Sequence, residues 1–427
     1  MVNLEYLTIQ LPNIRSFDET GIIAPNLKEL NVRCDQLSNL EELRQFQHLK
    51  ELEFGFCNYP FGLFNEGSFP ELEKFRCREC SFLASEDFDN SLLTFPPNLK
   101  KFEIEIFRFQ NVNFGSLVLP STLTRLKLKN FPFDYDYLVD SLQYIDVHTV
   151  KLTLESDFRI PHMAKEFILA AEYFSIDSID FMYHLPSNLT HLSLHAIELG
   201  QMKSLAQMVK WPPMLRKFTL INFNIDYFKL KQLNLNESGL TKIYISGGDV
   251  KKLNAGLFPV SVKDLSLTEM GIQQLPDSFE NLENLQKLCL WQNQLRDVTS
   301  VKLPMATLET LDLSICNLRF ISPFLVSMFE EKNKNAKLRV TAKENANVSV
   351  IDIRRALKAI KGLSLDLDEF DKTLIEISKH SSRLDCEYRC YDFCIEEPET
   401  DDLYNGSESG LDEESSGTKK KRRNIQE

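Results

Sequence analysis

Little in this 427-residue chain points to catalysis, membranes or a disulfide scaffold. Its nine cysteines are too few and too scattered to cross-link a chain this long, and they are expected to be reduced. No uncharged apolar run reaches the roughly 18 residues of a membrane-spanning helix. No basic segment followed by an apolar one opens the chain, so no secretory leader is read, and the sequons at Asn188 and Asn347 are taken as chance matches. The expected location is intracellular, cytoplasmic or nuclear. Basic charge is also short: the net charge is −13, ill-suited to coating a phosphate backbone, and neither a nucleic-acid nor a membrane partner is expected.

The spacings of common catalytic motifs are missing as well. Gly-x-Gly-x-x-Gly, Gly-x4-Gly-Lys-Ser/Thr, His-Glu-x-x-His and Gly-x-Ser-x-Gly do not occur. Seven histidines are scattered, with only His184, His191 and His195 close together. Cys386, Cys390 and Cys394 recur every four residues, which suits a packed helix face better than paired zinc ligands. The expectation is no enzyme, no cofactor and no metal.

What is present is one unit, repeated. Leu285, Leu288, Leu290, Asn293 and Leu295 spell Leu-x-x-Leu-x-Leu-x-x-Asn-x-Leu. The same triplet, with a second apolar residue three positions after the first and a third two later, starts at Leu4, Leu27, Leu49, Leu72, Leu99 and Leu123. It resumes at Leu189, Leu215, Leu240, Val262, Leu285 and Leu308. Steps within each series run from 22 to 27 residues. The 66-residue gap after Leu123 has room for two degenerate units, with strands expected at Leu152-Leu154 and Phe174-Ile176. Leu338-Val340 and Leu363-Leu365 continue the series, for about sixteen repeats in all.

This pattern resembles the leucine-rich repeat superfamily over residues 4–365. The resemblance implies an α/β solenoid, or horseshoe, with a parallel sheet on the concave face and irregular coil and helices on the convex face. Neighbouring units must stack, because none can bury its apolar face alone. Helices are expected over 163–173, 201–210 and 351–361 from apolar spacing. Proline recurs just before the first leucine, at Pro25, Pro70, Pro97, Pro120, Pro186 and Pro213, where its fixed φ suits an extended lead into the strand. The slot filled by Asn293 is expected to hold Asp35, Cys57, Cys80 or Cys316 in other repeats, and core bulk at Phe107, Phe131, Ile197, Phe223 and Met270. Cys77 is expected in the core.

Three regions are expected: a solenoid over 1–367, a helical C-terminal cap over 368–395, and a disordered acidic tail over 396–427. The tail holds ten acids and five bases. The bases are adjacent, Lys419, Lys420, Lys421, Arg422 and Arg423, and read either as a nuclear-import signal or as a solvated charge run. No polar cap precedes the first repeat.

Irregular repeat lengths, the prolines and the acidic tail make the chain similar to intracellular leucine-rich proteins of budding yeasts. Many of those resemble F-box proteins, whose repeats choose substrates for a ubiquitin ligase. The residues ahead of Leu4 leave no room for an F-box. Bacterial effector ligases also carry Leu-Pro-rich repeats, but their catalytic domain has no counterpart here.

A repeat array is expected to bind a protein partner on the non-leucine positions of its strands. Those are Glu51, Glu53, Lys74, Arg76, Arg78, Glu103, Glu105, Arg125, Lys127 and Lys129 early in the chain, then His191, His195, Tyr244, Lys287 and Trp291. Charge alternates from strand to strand, so these rows either pair laterally or meet a partner. Trp291 is the sharpest candidate anchor, because aromatic residues dominate interfaces. The expected function is a non-catalytic interaction scaffold. The alternatives are a ligase substrate-recognition subunit and an enzyme regulator.

Overall fold

Alternating apolar and polar residues within each repeat set up a short strand, with one face for the core and one for water. The computed structural model describes residues 3–345 and 364–366, except positions 11–12, 35–36, 38–39, 59–63, 65–66, 83–93, 110–117, 132–133, 179, 204–206, 297, 299–300, 321–322 and 325–337. Nine strands form the first part: β1 (Tyr6–Gln10), β2 (Glu29–Arg33), β3 (Glu51–Asn58), β4 (Lys74–Phe82), β5 (Lys101–Phe109), β6 (Arg125–Lys129), β7 (Tyr144–Leu154), β8 (Glu166–Ile176) and β9 (His191–Ala196). The remainder are β10 (Gln201–Met202), β11 (Lys217–Asp226), β12 (Lys242–Asp249), β13 (Asp264–Thr268), β14 (Lys287–Cys289), β15 (Thr310–Asp312), β16 (Arg339–Thr341) and β17 (Ser364–Asp366).

All pair in parallel. β10 pairs only with the end of β8, so sixteen of the seventeen strands stand side by side. β1 pairs with β2 and β17 with β16, and the sheet is not closed. This is the architecture of a leucine-rich repeat solenoid.

The first apolar position of every repeat from Leu27 to Leu308 is fully buried. Such a column removes each repeat's apolar face from water at roughly 1.5–3 kcal/mol per large side chain. Phenylalanines extend it. Phe75 stacks on Phe102 at 5.8 Å, and Phe64 meets Phe75 edge-on at 4.9 Å.

The prolines close turns rather than extend the chain. The amide of Leu99 donates to the Pro96 carbonyl, Leu123 to Pro120, Leu189 to Pro186 and Leu215 to Pro212. Leu27 and Leu72 donate to Ala24 and Phe69, with Pro25 and Pro70 at the second turn position, where a φ near −65° is needed.

A second turn follows the strand. Two residues after the third apolar position the backbone is left-handed at Glu79, Asn130, Asn222, Gly247, Glu269, Gln292, Ile315 and Glu344. β7 and β8 lack this turn and run on to eleven residues.

Several sequence expectations need correction. In the 66-residue gap the paired core positions are Ile145-Val147 and Phe167-Leu169, behind Leu142 and Ala164. Leu152-Leu154 and Phe174-Ile176 are the far ends of the same long strands. The segment 163–173, expected as helix, is mostly β8. Its apolar residues alternate where the period was read as helical. No helix is found in the described part of 201–210, which contributes β10. An unexpected α-helix, α1 (Tyr227–Gln232), is capped by the Asp226 carboxylate, which accepts from the Lys229 amide at 2.8 Å. Near the end the register shifts by two: Val340 and Leu365, not Leu338 and Leu363, align with Leu311. Ile197 is 57% exposed because it lies beyond the end of β9. Cys77 is buried as expected but disulfide-bonded, against the expectation of reduced thiols, whereas Cys34, Cys289 and Cys316 are free. Asp35, the helix expected at 351–361, the cap, the acidic tail and Lys419 to Arg423 lie outside the described residues, as do the side chains of Cys57, Cys80 and Phe107.

Candidate functional site: the solvent face of the sheet

Strand register turns the outward positions into rows that cross the sheet. One row runs Glu53, Arg76, Glu103, Lys127, Asp146 from β3 to β7. Neighbouring strands are about 4.8 Å apart, so opposite charges in such a row meet. Arg76 reaches Glu103 at 2.7 Å and Glu53 at 3.6 Å. Arg125 holds the other Glu103 oxygen at 3.0 Å, and Arg78 approaches Glu53 at 3.5 Å. Lys74 pairs with Glu51 at 2.9 Å, and Lys127 with Asp146 at 3.5 Å. Glu105 and Lys129 are register neighbours.

Burial pulls the Glu103 carboxyl upward, but the Arg76 hydrogen bond and the charges of Arg76, Arg125 and Lys127 outweigh it, holding the group below the ordinary carboxylate range. Asp146 behaves alike: burial opposes ionisation, and the contact with His148 at 3.0 Å, with the charges of Lys127 and Lys129, overrides it. The early candidate residues are thus brought together, largely as one another's partners.

From β8 onward the face changes. Ile168, Ala170, Ser193, Thr219, Ile221, Ser246, Ser266 and Thr268 take the two inner rows, and most are buried between neighbours. His195 stands within the second row, between Ala170 and Ile221, and His191 lies beside the first. They were expected on the surface but are half-buried. Burial and then the Lys217 charge push the His191 imidazole down to about 3, so it is neutral. Burial and nearby His148 lower His195. His191 Nε2 is buried without a hydrogen-bond partner among the described residues. Tyr244 donates to Asp264 at 2.6 Å, and the Lys217 ammonium lies 5.7 Å from the Tyr244 ring centroid. Lys287 is across from Asp264 in register. Trp291 takes an outward position after β14 but is half-buried rather than freely projecting.

Tyr144, Asp146 and His148 also belong to the face and were missed, because the gap repeats were placed too late along the chain. The signal was available in Leu142-x-x-Ile145-x-Val147. Among the described residues no group of three or more histidine, cysteine or acidic side chains is arranged for a metal. No described helix is long and apolar enough to cross a membrane.

The site is therefore a sheet face of a leucine-rich repeat solenoid, with a charge-paired half and a hydroxyl-lined half. No protein-family model matches the chain, and no curated protein does. Solved structures similar to it are leucine-rich repeat proteins. One from Leptospira interrogans shares 16% identity, covering 85% of this chain and 90% of its own, with a TM-score of 0.48. A circular leucine-rich repeat protein shares 16%, over 81% of this chain and 53% of its own, with a TM-score of 0.47. An internalin of Listeria monocytogenes shares 15%, over 79% and 80%, with a TM-score of 0.40.

Proposed function

We propose that this chain is a non-catalytic scaffold that binds a protein partner on the solvent face of its sheet, within β8 to β14. One observation carries the reading. The β3 to β7 half neutralises its own charges side to side, whereas the later half presents rows of small and uncharged side chains, with Tyr244 standing between Thr219 and Ser266 and with Lys287 and Trp291 beside them. Low rows let another backbone approach closely, and rigid strands hold the flanking groups without an ordering cost.

Affinity purification of the full chain with mass spectrometry tests this. Tyr244→Ala with Trp291→Ala should lose the main partner, and Glu53→Gln should retain it. Recovery of ubiquitin-ligase adaptors would favour the substrate-recognition reading, and one dominant enzyme would favour a regulator. A partner indifferent to Tyr244, Lys287 and Trp291 would overturn the assignment.

The same reading places the protein in the cytoplasm or nucleus, with Lys419, Lys420, Lys421, Arg422 and Arg423 as an import-like segment. Deleting those five residues should empty a nuclear pool of the tagged protein. An unchanged pool rejects the signal.

A further inference from the structure

In β7, buried and solvent-facing residues alternate as far as Thr149. Val150 and Lys151 are then both exposed, and core positions resume at Leu152 and Leu154. β8 does the same beside it: Glu172 is half-buried, Tyr173 is exposed, and Phe174 and Ile176 return to the core. Both strands make this outward excursion just past the point where most other repeats turn left-handed.

Register gathers the excursions into one array. Lys151 is level with Tyr173, which sets Val150 level with Glu172. The chain leaving β9 stays alongside. The Ile197 amide donates to the Ala171 carbonyl at 2.8 Å, and the Glu198 amide to the Glu172 carbonyl at 3.0 Å. Across the three strands the array therefore reads Val150, Glu172, Ile197 and then Lys151, Tyr173, Glu198, with Leu199 one residue beyond. Val150, Tyr173, Ile197 and Leu199 are 53%, 56%, 57% and 70% exposed. Single exposed apolar side chains are ordinary on a protein surface, but a cluster on neighbouring strands marks an interaction site.

The charges of the array are split between its sides. Lys151 stands on the β7 side and Glu198 on the β9 side, and neither forms an ion pair among the described residues. Tyr173 lies between them. The charge of Glu172 and its hydrogen bond to the phenol raise the Tyr173 hydroxyl above its ordinary range, with partial desolvation and Glu198 adding to the effect. The phenol is thus a neutral donor at the centre of the array.

We infer that this array is a two-fold contact with a second copy of the chain, centred on Tyr173. A two-fold contact lays a patch on itself, so the patch must complement its own charges. An axis through Tyr173 exchanges the β7 and β9 sides. It sets Lys151 against Glu198 of the partner subunit and Val150 against Ile197 of the partner subunit, with Tyr173 on the axis. A partner of single charge sign would leave Lys151 or Glu198 unmatched, whereas a second copy matches both. β7 and β8 run eleven residues each, so the contact stands on long paired strands. The array is smaller than the roughly 20–30 residues that each side of a stable interface presents, so the dimer is reversible. It goes beyond the partner-binding face, since Tyr244, Lys287 and Trp291 are not part of it.

Sedimentation of the full-length chain tests this. It should pass from monomer to dimer between about 1 and 100 μM. Tyr173→Asp with Ile197→Asp should weaken the dimer at least tenfold. Met214→Asp, at a position 51% exposed outside the array, should change it less than twofold. Lys151→Glu and Glu198→Lys should each weaken it at least fivefold. An equimolar mixture of those two variants should dimerise as the parent does, because each supplies the charges that the other lacks. The double variant Lys151→Glu with Glu198→Lys should do the same. Circular dichroism confirms that each variant is folded.

A chain that stays monomeric to 100 μM overturns the inference. So does a dimer indifferent to the Tyr173 and Ile197 substitutions, which would use another surface. Charge reversals that neither mixing nor the double variant rescues overturn it as well, since the two copies would then not be related by a two-fold axis through this array.

Discussion

His191 shows how a single side chain on this sheet is tuned by its neighbours. Its imidazole is pushed down from 6.5 to about 3, first by burial and then by Lys217, so folding takes up the neutral ring. The unfolded chain binds a proton below pH 6.5 that the folded chain refuses until near pH 3. Stability is complete above pH 6.5 and falls as the medium is acidified through that window. At pH 5 the loss from this one group is about 2 kcal/mol. His191→Gln should remove it: the urea midpoint of the variant should fall less between pH 7 and 5 than that of the parent. Parallel curves would refute this.

Ile315 is the other informative residue, a β-branched side chain at φ 53° in the slot where the repeat three units earlier has Gly247 at φ 78°. Left-handed backbone costs a non-glycine residue roughly 1–3 kcal/mol. Ile315→Gly should raise stability by about 1 kcal/mol after the entropic cost of glycine. Gly247→Ala should lower it, since a Cβ there would lie 2.8 Å from the Asn222 Cα.

Within one repeat, stability depends on how the turn after the strand closes its hydrogen bonds. Asn293 is buried, accepts from the amides of Met270 and Ile272 at 3.1 and 3.0 Å, and donates to the carbonyls of Leu267 and Leu290 at 2.7 and 2.8 Å. Cys316 fills the same slot one repeat on with a single short donation to Leu290 at 3.0 Å, and burial pushes its thiol up to about 12. Asn293→Ala strands four backbone groups and should cost about 3–5 kcal/mol, against about 1 kcal/mol for Cys316→Ala. Thermal melts of the two variants should separate clearly, and equal shifts would refute the argument.

Asn345 repeats the Asn293 pattern, accepting from Cys316 and Leu318 and donating to Leu313 and Ala342. It was legible as Val340-x-Ala342-x-x-Asn345. Leu338 hid it, because a leucine two residues early outweighs an alanine in an apolar template. The gap repeats were obscured for a related reason: β7 and β8 replace the left-handed turn with extra strand, and the extra apolar pairs drew the reading past the true register. Repeats with a proline turn before them and a leucine column were readable throughout. The site was readable only as positions. Which charges would pair depended on register, and the neutral His191 and the half-buried Trp291 depended on packing that no local pattern states.

Across the whole array each strand is held chiefly by its two neighbours, so stability is distributed rather than pooled in one core. The distribution follows strand length. β7 and β8 run eleven residues and pair along most of that length, and β11 runs ten. β14, β15 and β16 are three residues each. A short strand fixes few backbone hydrogen bonds against the same entropy of ordering its turns, so it opens at lower cost. Native-state hydrogen exchange should therefore show the slowest amides in β7, β8 and β11, with β14 to β16 exchanging earlier and β1 fraying as an edge. Exchange that is slowest in β14 to β16, or uniform across the array, would refute the dependence on strand length.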